Sequence, residues 1–191
     1  MLPDTSISND KFCTMLDACL NDCEYFTLTR SSYTYEEGYI ESVKQVRGNK
    51  IIVVDLKAEF SDFLLNDYDT RNWYGYLMPR FLNDGFFLNV SVYRFNNITK
   101  SKIKNTFPNI FLRDENHVFL YEDICFFENG KLLLGTVSHA AACTIYPTSE
   151  AQLLKFKELA SWNEIPYHNF EHLRLSILLE LLDQHQQDKK E

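Results

Sequence analysis

The chain has 191 residues, 45% of them hydrophobic, 24% charged and 15% aromatic, which is enough for one core of ordinary size and excludes wholesale disorder. Its 27 acids against 19 bases give a net charge of −8. That charge argues against direct nucleic-acid binding, because phosphate recognition needs a basic footprint, and it favours solubility and basic protein partners.

In chain order, Ser8 or Asn9 can cap a first helix over 8–24, along which Phe12, Met15, Leu16, Cys19, Leu20 and Cys23 recur at helical spacing. Residues 33–60 read as a hairpin: Tyr33, Tyr35, Tyr39, Val43 and Val46 lead into the turn 47-RGNK-50, and 51-IIVVDL-56 follows. Residues 61–80 mix turn residues with aromatics and show no clean period. Asn83-Asp84-Gly85 predicts a turn, with strand alternation after it up to residue 95. A second hairpin joins 117–127 to 131–137 through Glu128-Asn129-Gly130, and a further strand over 142–146 stops at Pro147. Helical pattern returns over 149–162 and breaks at Pro166. A last helix over 169–186 carries Leu173, Ile177, Leu178, Leu181 and Leu182 on one face, and Leu175 and Leu179 widen its apolar surface beyond one stripe, which predicts a helix wedged between the sheet and its predecessor. This segregated order predicts an α+β fold, a single domain over 1–191: a mainly antiparallel sheet flanked by an N-terminal helix and two C-terminal helices.

Five cysteines, Cys13, Cys19, Cys23, Cys125 and Cys143, and an opening MLPDTSISND with neither basic head nor apolar run imply free thiols and a cytoplasmic setting. The apolar runs 51-IIVV-54 and 132-LLL-134 are too short to span a bilayer.

The stretch 168-HNFEH-172 has the His-x-x-Glu-His order of one class of zinc protease. That chemistry needs a third ligand well downstream. Only 19 residues follow His172, and their acids Glu180, Asp183, Asp188 and Glu191 share its helix or tail. A helix cannot fold back to complete its own tetrahedral site, so His168, Glu171 and His172 read as polar residues at a helix start, with no metal expected. The Cys13, Cys19, Cys23 spacing lacks the C-x2-C knuckle of zinc and redox sites, and Cys19 and Cys23 lie on the apolar face, so packing explains them. A metal- or Cys/His-dependent hydrolase, built on His168, Glu171 and His172 or on His139 and Cys143, is the alternative. A Cys–His pair needs contact and an orienting third group, and no nucleophile-elbow pattern precedes either residue. A packed Cys143 and a buried or turn-supporting His139 are the expectation. With 6 glycines and no phosphate-cradling run, no catalytic or cofactor-binding residue is assigned.

Acids beside aromatics remain. Glu36, Glu37 and Glu41 accompany Tyr33, Tyr35 and Tyr39; Asp55, Glu59, Asp62, Asp67 and Asp69 precede Trp73, Tyr74 and Tyr76; Asp114, Glu115, Glu122 and Asp123 form a third group. The second has no core period to account for its aromatics, which makes Asp62, Asp67, Asp69, Trp73 and Tyr74 the candidate partner-binding set.

The segment 124-ICFFENGKLLLGTVSHAAACTIYP-147 resembles bacterial immunity proteins that neutralise polymorphic or contact-delivered toxins. In several of those families a late hairpin ends in Thr-x-Ser/Thr-His, matched here by Thr136, Val137, Ser138 and His139; Ala140 stands where a Glu often follows. The resemblance implies a small, acidic, non-enzymatic cytosolic protein that occludes a basic toxin domain, such as a nuclease, without cofactor, nucleic acid or membrane. A monomer is favoured over a homodimer, and a structural subunit of a larger complex is the further alternative.

Overall fold

The apolar residues spaced from Phe12 to Cys23 form a helix in the computed structural model, which describes residues 2–3, 9–31, 37–48, 50–70, 74–75, 87–112 and 115–163. After the short strand β1 (Leu2–Pro3), helix α1 (Asn9–Asp22) buries Phe12, Met15, Leu16 and Cys19. Strand β2 (Tyr25–Ser31), helix α2 (Glu37–Arg47), strand β3 (Ile52–Val54) and helix α3 (Leu56–Glu59) follow. Next come β4 (Leu64–Thr70), β5 (Leu88–Arg94), α4 (Asn97–Thr106) and β6 (His117–Phe119). Then β7 (Glu122–Glu128) and β8 (Lys131–Val137) precede β9 (Ala142–Ile145), α5 (Glu150–Leu159) and β10 (Trp162–Asn163).

Six strands form one sheet in the order β4-β5-β2-β7-β8-β9, each neighbour antiparallel. The fold is therefore α+β around a mainly antiparallel sheet, with α1 before it and α5 after it. The expected last helix over 169–186 lies outside the described residues. None of the described helices is long and apolar enough to cross a membrane.

Alternation along the strands divides the core in two. One face of the sheet presents Phe26, Leu28, Tyr93, Phe126, Leu134 and Ile145 to residues of α1, α3, α4 and α5, among them Leu56, Phe60, Ile103 and Phe156. The other presents Tyr25, Val90, Val92, Cys125, Phe127 and Leu132, packed with Tyr74. Phe26 lies at the centre of the helical face, stacked on Tyr93 at 5.0 Å and meeting Phe60 edge-on at 5.5 Å, geometries that aromatic quadrupoles favour.

Several elements differ from the sequence expectation; the expected helix over 149–162 ends at Leu159, and Trp162–Asn163 is β10. The hairpin over 33–60 does not form: 37–47 is the helix α2, and β3 pairs in parallel with β6. Tyr39, Val43 and Val46 are spaced four and three apart, which is a helical stripe. No residue from 38 to 47 is buried, so the stripe has no described core contact to set its period. The expected strand over 117–127 is two, because β6 leaves the main sheet to join β3 while β7 stays within it. Helix α4 has no counterpart in the sequence expectation because its burial is sparse, with Thr99 and Ile103 its only buried residues. Its start is nonetheless written in a capping box, in which Asn96 accepts from the Thr99 backbone and Thr99 Oγ1 accepts from the Asn96 backbone.

Candidate functional site

The acids of the candidate partner-binding set lie on a surface segment pinned from beneath. From residue 51 to 70 only Leu56 and Phe60 are buried. Asp55 caps α3, its Oδ1 accepting from the backbone of Lys57 at 3.0 Å. Phe60 then drops into the core against Phe26, Tyr93 and Phe107. Between and around these anchors Asp55, Glu59, Asp62 and Asp69 are exposed, and Ile52 and Val53 of β3 are 56% and 39% exposed.

The individual residues are placed differently. Asp62 sits on the 3-10 turn Ser61–Phe63. Asp67 pairs with the Lys57 amine and accepts from Ser91 Oγ at 2.7 Å; the Asp67 hydrogen bond holds the Lys57 amine above its ordinary value. Asp69 accepts from Asn89 Nδ2 at 3.1 Å. In the register with β5, Asp67 opposes Ser91 and Asp69 opposes Asn89, on the face of Tyr93. Tyr68 points the other way and its hydroxyl meets that of Tyr74 at 3.1 Å; burial pushes the Tyr68 phenol far above its ordinary range. Tyr74 is 7% exposed and packs edge-on against Phe127. The acids and Tyr74 thus occupy opposite faces of the sheet. Trp73 lies outside the described residues. Strand β4, at the end of the sheet, pairs only with β5 among the described residues.

A second constellation sits where the Thr136–His139 motif ends β8. The β7–β8 hairpin turns on Asn129 and Gly130, whose φ angles of 49° and 72° are both left-handed, as a two-residue type I′ turn requires. The ladder runs outward from Glu128 and Lys131 to Cys125 and Gly135, and side chains then take over. Thr136 Oγ1 donates to the Ile124 carbonyl at 3.0 Å, and the Ser138 N–H donates to Asp123 Oδ1 at 2.5 Å. In return the Asp123 N–H donates to Ser138 Oγ at 3.0 Å.

The cause is a bulge. Against β2, Thr27 pairs with Cys125 but Thr29 pairs with Glu122, so Asp123 and Ile124 together oppose Leu28. Asp123 takes a left-handed φ of 55° there, one of the few side chains that tolerates it. Asp123, Thr136 and Ser138 are all buried, whereas His139 on the following 3-10 turn is exposed and Glu122 is half-buried. The ligating atoms of Glu122, Asp123 and His139 lie within 4.8 Å of one another. Along the sequence the two acids and the histidine fall in separate groups. The Asn129-Gly130 turn is the signal that could join them, since it brings the far ends of β7 and β8 together.

His139 therefore sits on a turn at the surface and not in the interior. Cys143 is fully buried on the helical face opposite Thr136, and burial pushes its thiol up, so the pair lacks the exposed thiolate that nucleophilic chemistry uses. Cys19, Cys23 and Cys125 are buried as well, and all five cysteines are free; burial pushes the Cys125 thiol up to about 12. His168, Glu171 and His172 lie outside the described residues. Comparison with protein-family models, curated proteins and solved structures gives no match to the chain.

Proposed function

We infer that the chain is a non-enzymatic, cytoplasmic protein-binding inhibitor of the immunity-protein kind, which captures a basic toxin domain, such as a nuclease, and occludes it. The observation that carries this reading is the surface segment over 51–70. Exposed Ile52 and Val53 precede the exposed acids Asp55, Glu59, Asp62 and Asp69 along the segment, on a backbone anchored by buried Leu56 and Phe60. Two cations beside it are engaged at home: Lys57 with Asp67, and Lys102 with the Glu59 carbonyl at 2.6 Å and the Phe60 ring. Outward negative charge over a fixed scaffold attracts and orients a basic partner, and a small apolar centre then excludes water. The Thr136–His139 resemblance supports the same class.

Association with the product of a neighbouring gene, measured across salt concentrations, tests this. Binding is expected, with an on-rate that falls as salt rises. The double variant Asp62→Lys, Asp69→Lys is expected to associate roughly tenfold more slowly at low salt. An on-rate indifferent to both salt and these substitutions overturns the proposed surface.

A further inference from the structure

The bulge in β7 and the turn after β8 bring three metal-ligating groups from two chain segments to one point. The Glu122 and Asp123 carboxylates and the His139 imidazole place their ligating atoms within 4.8 Å of one another. Ligands of a four-coordinate first-row divalent ion stand about 2.0–2.2 Å from it, and therefore roughly 3.3–3.6 Å apart. Ligating atoms that already lie within 4.8 Å of one another reach that spacing by side-chain adjustment of about an ångström, at exposed His139 and half-buried Glu122.

We propose that Glu122, Asp123 and His139 bind one divalent transition-metal ion of the zinc class. The donor set is mixed, with one nitrogen and two carboxylates. An imidazole favours zinc and its neighbours, whereas calcium takes six to eight oxygens and magnesium keeps much of its water. The three ligands are graded in depth. Asp123 is fully buried, Glu122 is half-buried and His139 is exposed, so the ion sits at the surface with its innermost ligand fixed. Ser138 does the fixing: its N–H holds Asp123 Oδ1 and its hydroxyl accepts from the Asp123 N–H. Ligating carboxylates are commonly held by such outer partners. Three protein ligands leave a coordination position for water or for a side chain of a bound protein.

Titration calorimetry with zinc on chelator-stripped protein, with elemental analysis of the dialysed complex, tests the site. One ion per chain is expected. Binding should be lost in His139→Ala, an exposed position whose variant should stay folded without metal, as circular dichroism would show. It should weaken at least tenfold in Glu122→Gln. Asp123→Asn keeps an oxygen for the Ser138 N–H and removes the charge, so it should fold and lose the ion. The double variant His168→Ala, His172→Ala should retain it. Absence of binding, or binding unchanged in His139→Ala and Glu122→Gln, overturns the site. Loss of the ion in the His168, His172 variant alone would assign the zinc to that pair and equally overturn it.

Discussion

Asp123 and Ser138 hold each other from both sides: the Ser138 N–H donates to Asp123 Oδ1 at 2.5 Å and the Asp123 N–H donates to Ser138 Oγ at 3.0 Å. With the Thr136 hydroxyl on the Ile124 carbonyl, this pair continues the β7–β8 pairing past the point where the bulge interrupts the backbone ladder. Bulges re-aim side chains, and here the consequence is that Asp123, the innermost of the three proposed ligands, is fixed by a backbone it did not have to pair with.

Ser138→Ala removes the acceptor offered to the Asp123 N–H in a buried setting. An unmade buried hydrogen bond costs about 1–3 kcal/mol, and that range is the expected loss of stability. Urea denaturation checks it: the midpoint should fall while the slope stays the same. A loss below about 0.5 kcal/mol would place the variant among ordinary surface substitutions and show that the pairing contributes little.

Two glycines divide on what surrounds them. A Cβ on Gly75 would stand 1.9 Å from the Thr136 carbonyl oxygen and 2.8 Å from its carbon, so Gly75→Ala must displace the backbone of β8 next to the Asp123–Ser138 clasp. About 1–3 kcal/mol of destabilisation, or more, is expected. A Cβ on Gly38 in α2 would meet nothing within 4 Å, and its φ is not left-handed, so Gly38→Ala should be neutral or stabilise by up to about 1 kcal/mol. Melting temperatures of the two variants should move in opposite directions or differ by several degrees; equal shifts would contradict the close approach at Gly75.

What is legible in the sequence is whatever depends on short range. Helix α1 and helix α5 show their helical pattern along the chain. The Asn129-Gly130 turn marks its hairpin because only that backbone conformation closes two strands so tightly. What is not legible depends on distant partners. Tyr39, Val43 and Val46 fit a helix as well as a strand, and no burial chooses between the two periods. Nothing near 117–119 announces that these residues leave the main sheet to pair in parallel with 52–54. The same limit governs the sites. Asp62 and Asp69 are exposed because the segment between the Leu56 and Phe60 anchors and the end of β4 runs over the surface. Tyr74, five residues past Asp69, is buried on the other side of the sheet. Strand alternation separates neighbours in sequence just as the bulge at Asp123 unites strangers.

Asp17 on α1 bridges to α4 through Lys100 at 2.8 Å and Lys104 at 3.3 Å. The Lys100 hydrogen bond leads in holding its carboxyl below the usual carboxylate range, with Lys104 adding to it and burial acting against it. A lowered folded-state value means that the ionised form stabilises the fold above the unfolded carboxylate value, and that this contribution disappears as pH falls through the folded one. The Asp17 side chain is 52% exposed, so solvent screening limits the gain to at most about 1 kcal/mol. Asp17→Asn should therefore be slightly less stable than the parent at neutral pH, and the gap should close on acidification below the ordinary carboxylate range. A gap that is constant with pH would assign the effect to packing instead of charge.

Phe60 joins the proposed partner surface to the core. It is fully buried and meets Phe26 at 5.5 Å, Tyr93 at 5.9 Å and Phe107 at 6.1 Å, so it touches β2, β5 and the end of α4 at once. Phe60→Ala is expected to cost about 3–5 kcal/mol, the usual range for emptying such a site. The charge of the surface above it is untouched. If the acids act through a fixed scaffold, the variant at a temperature where it stays folded should bind a basic partner with a nearly unchanged on-rate and a faster off-rate. Charge steers the encounter, while rigidity determines how long the contact lasts. Asp62→Lys should do the reverse, slowing association with little effect on stability. Amide exchange should report the Phe60→Ala loss across β2 and β5 as well as in 51–70. Loss of protection confined to 51–70, with sheet protection unchanged, would show that Phe60 serves only its own segment and is not the tie between surface and core.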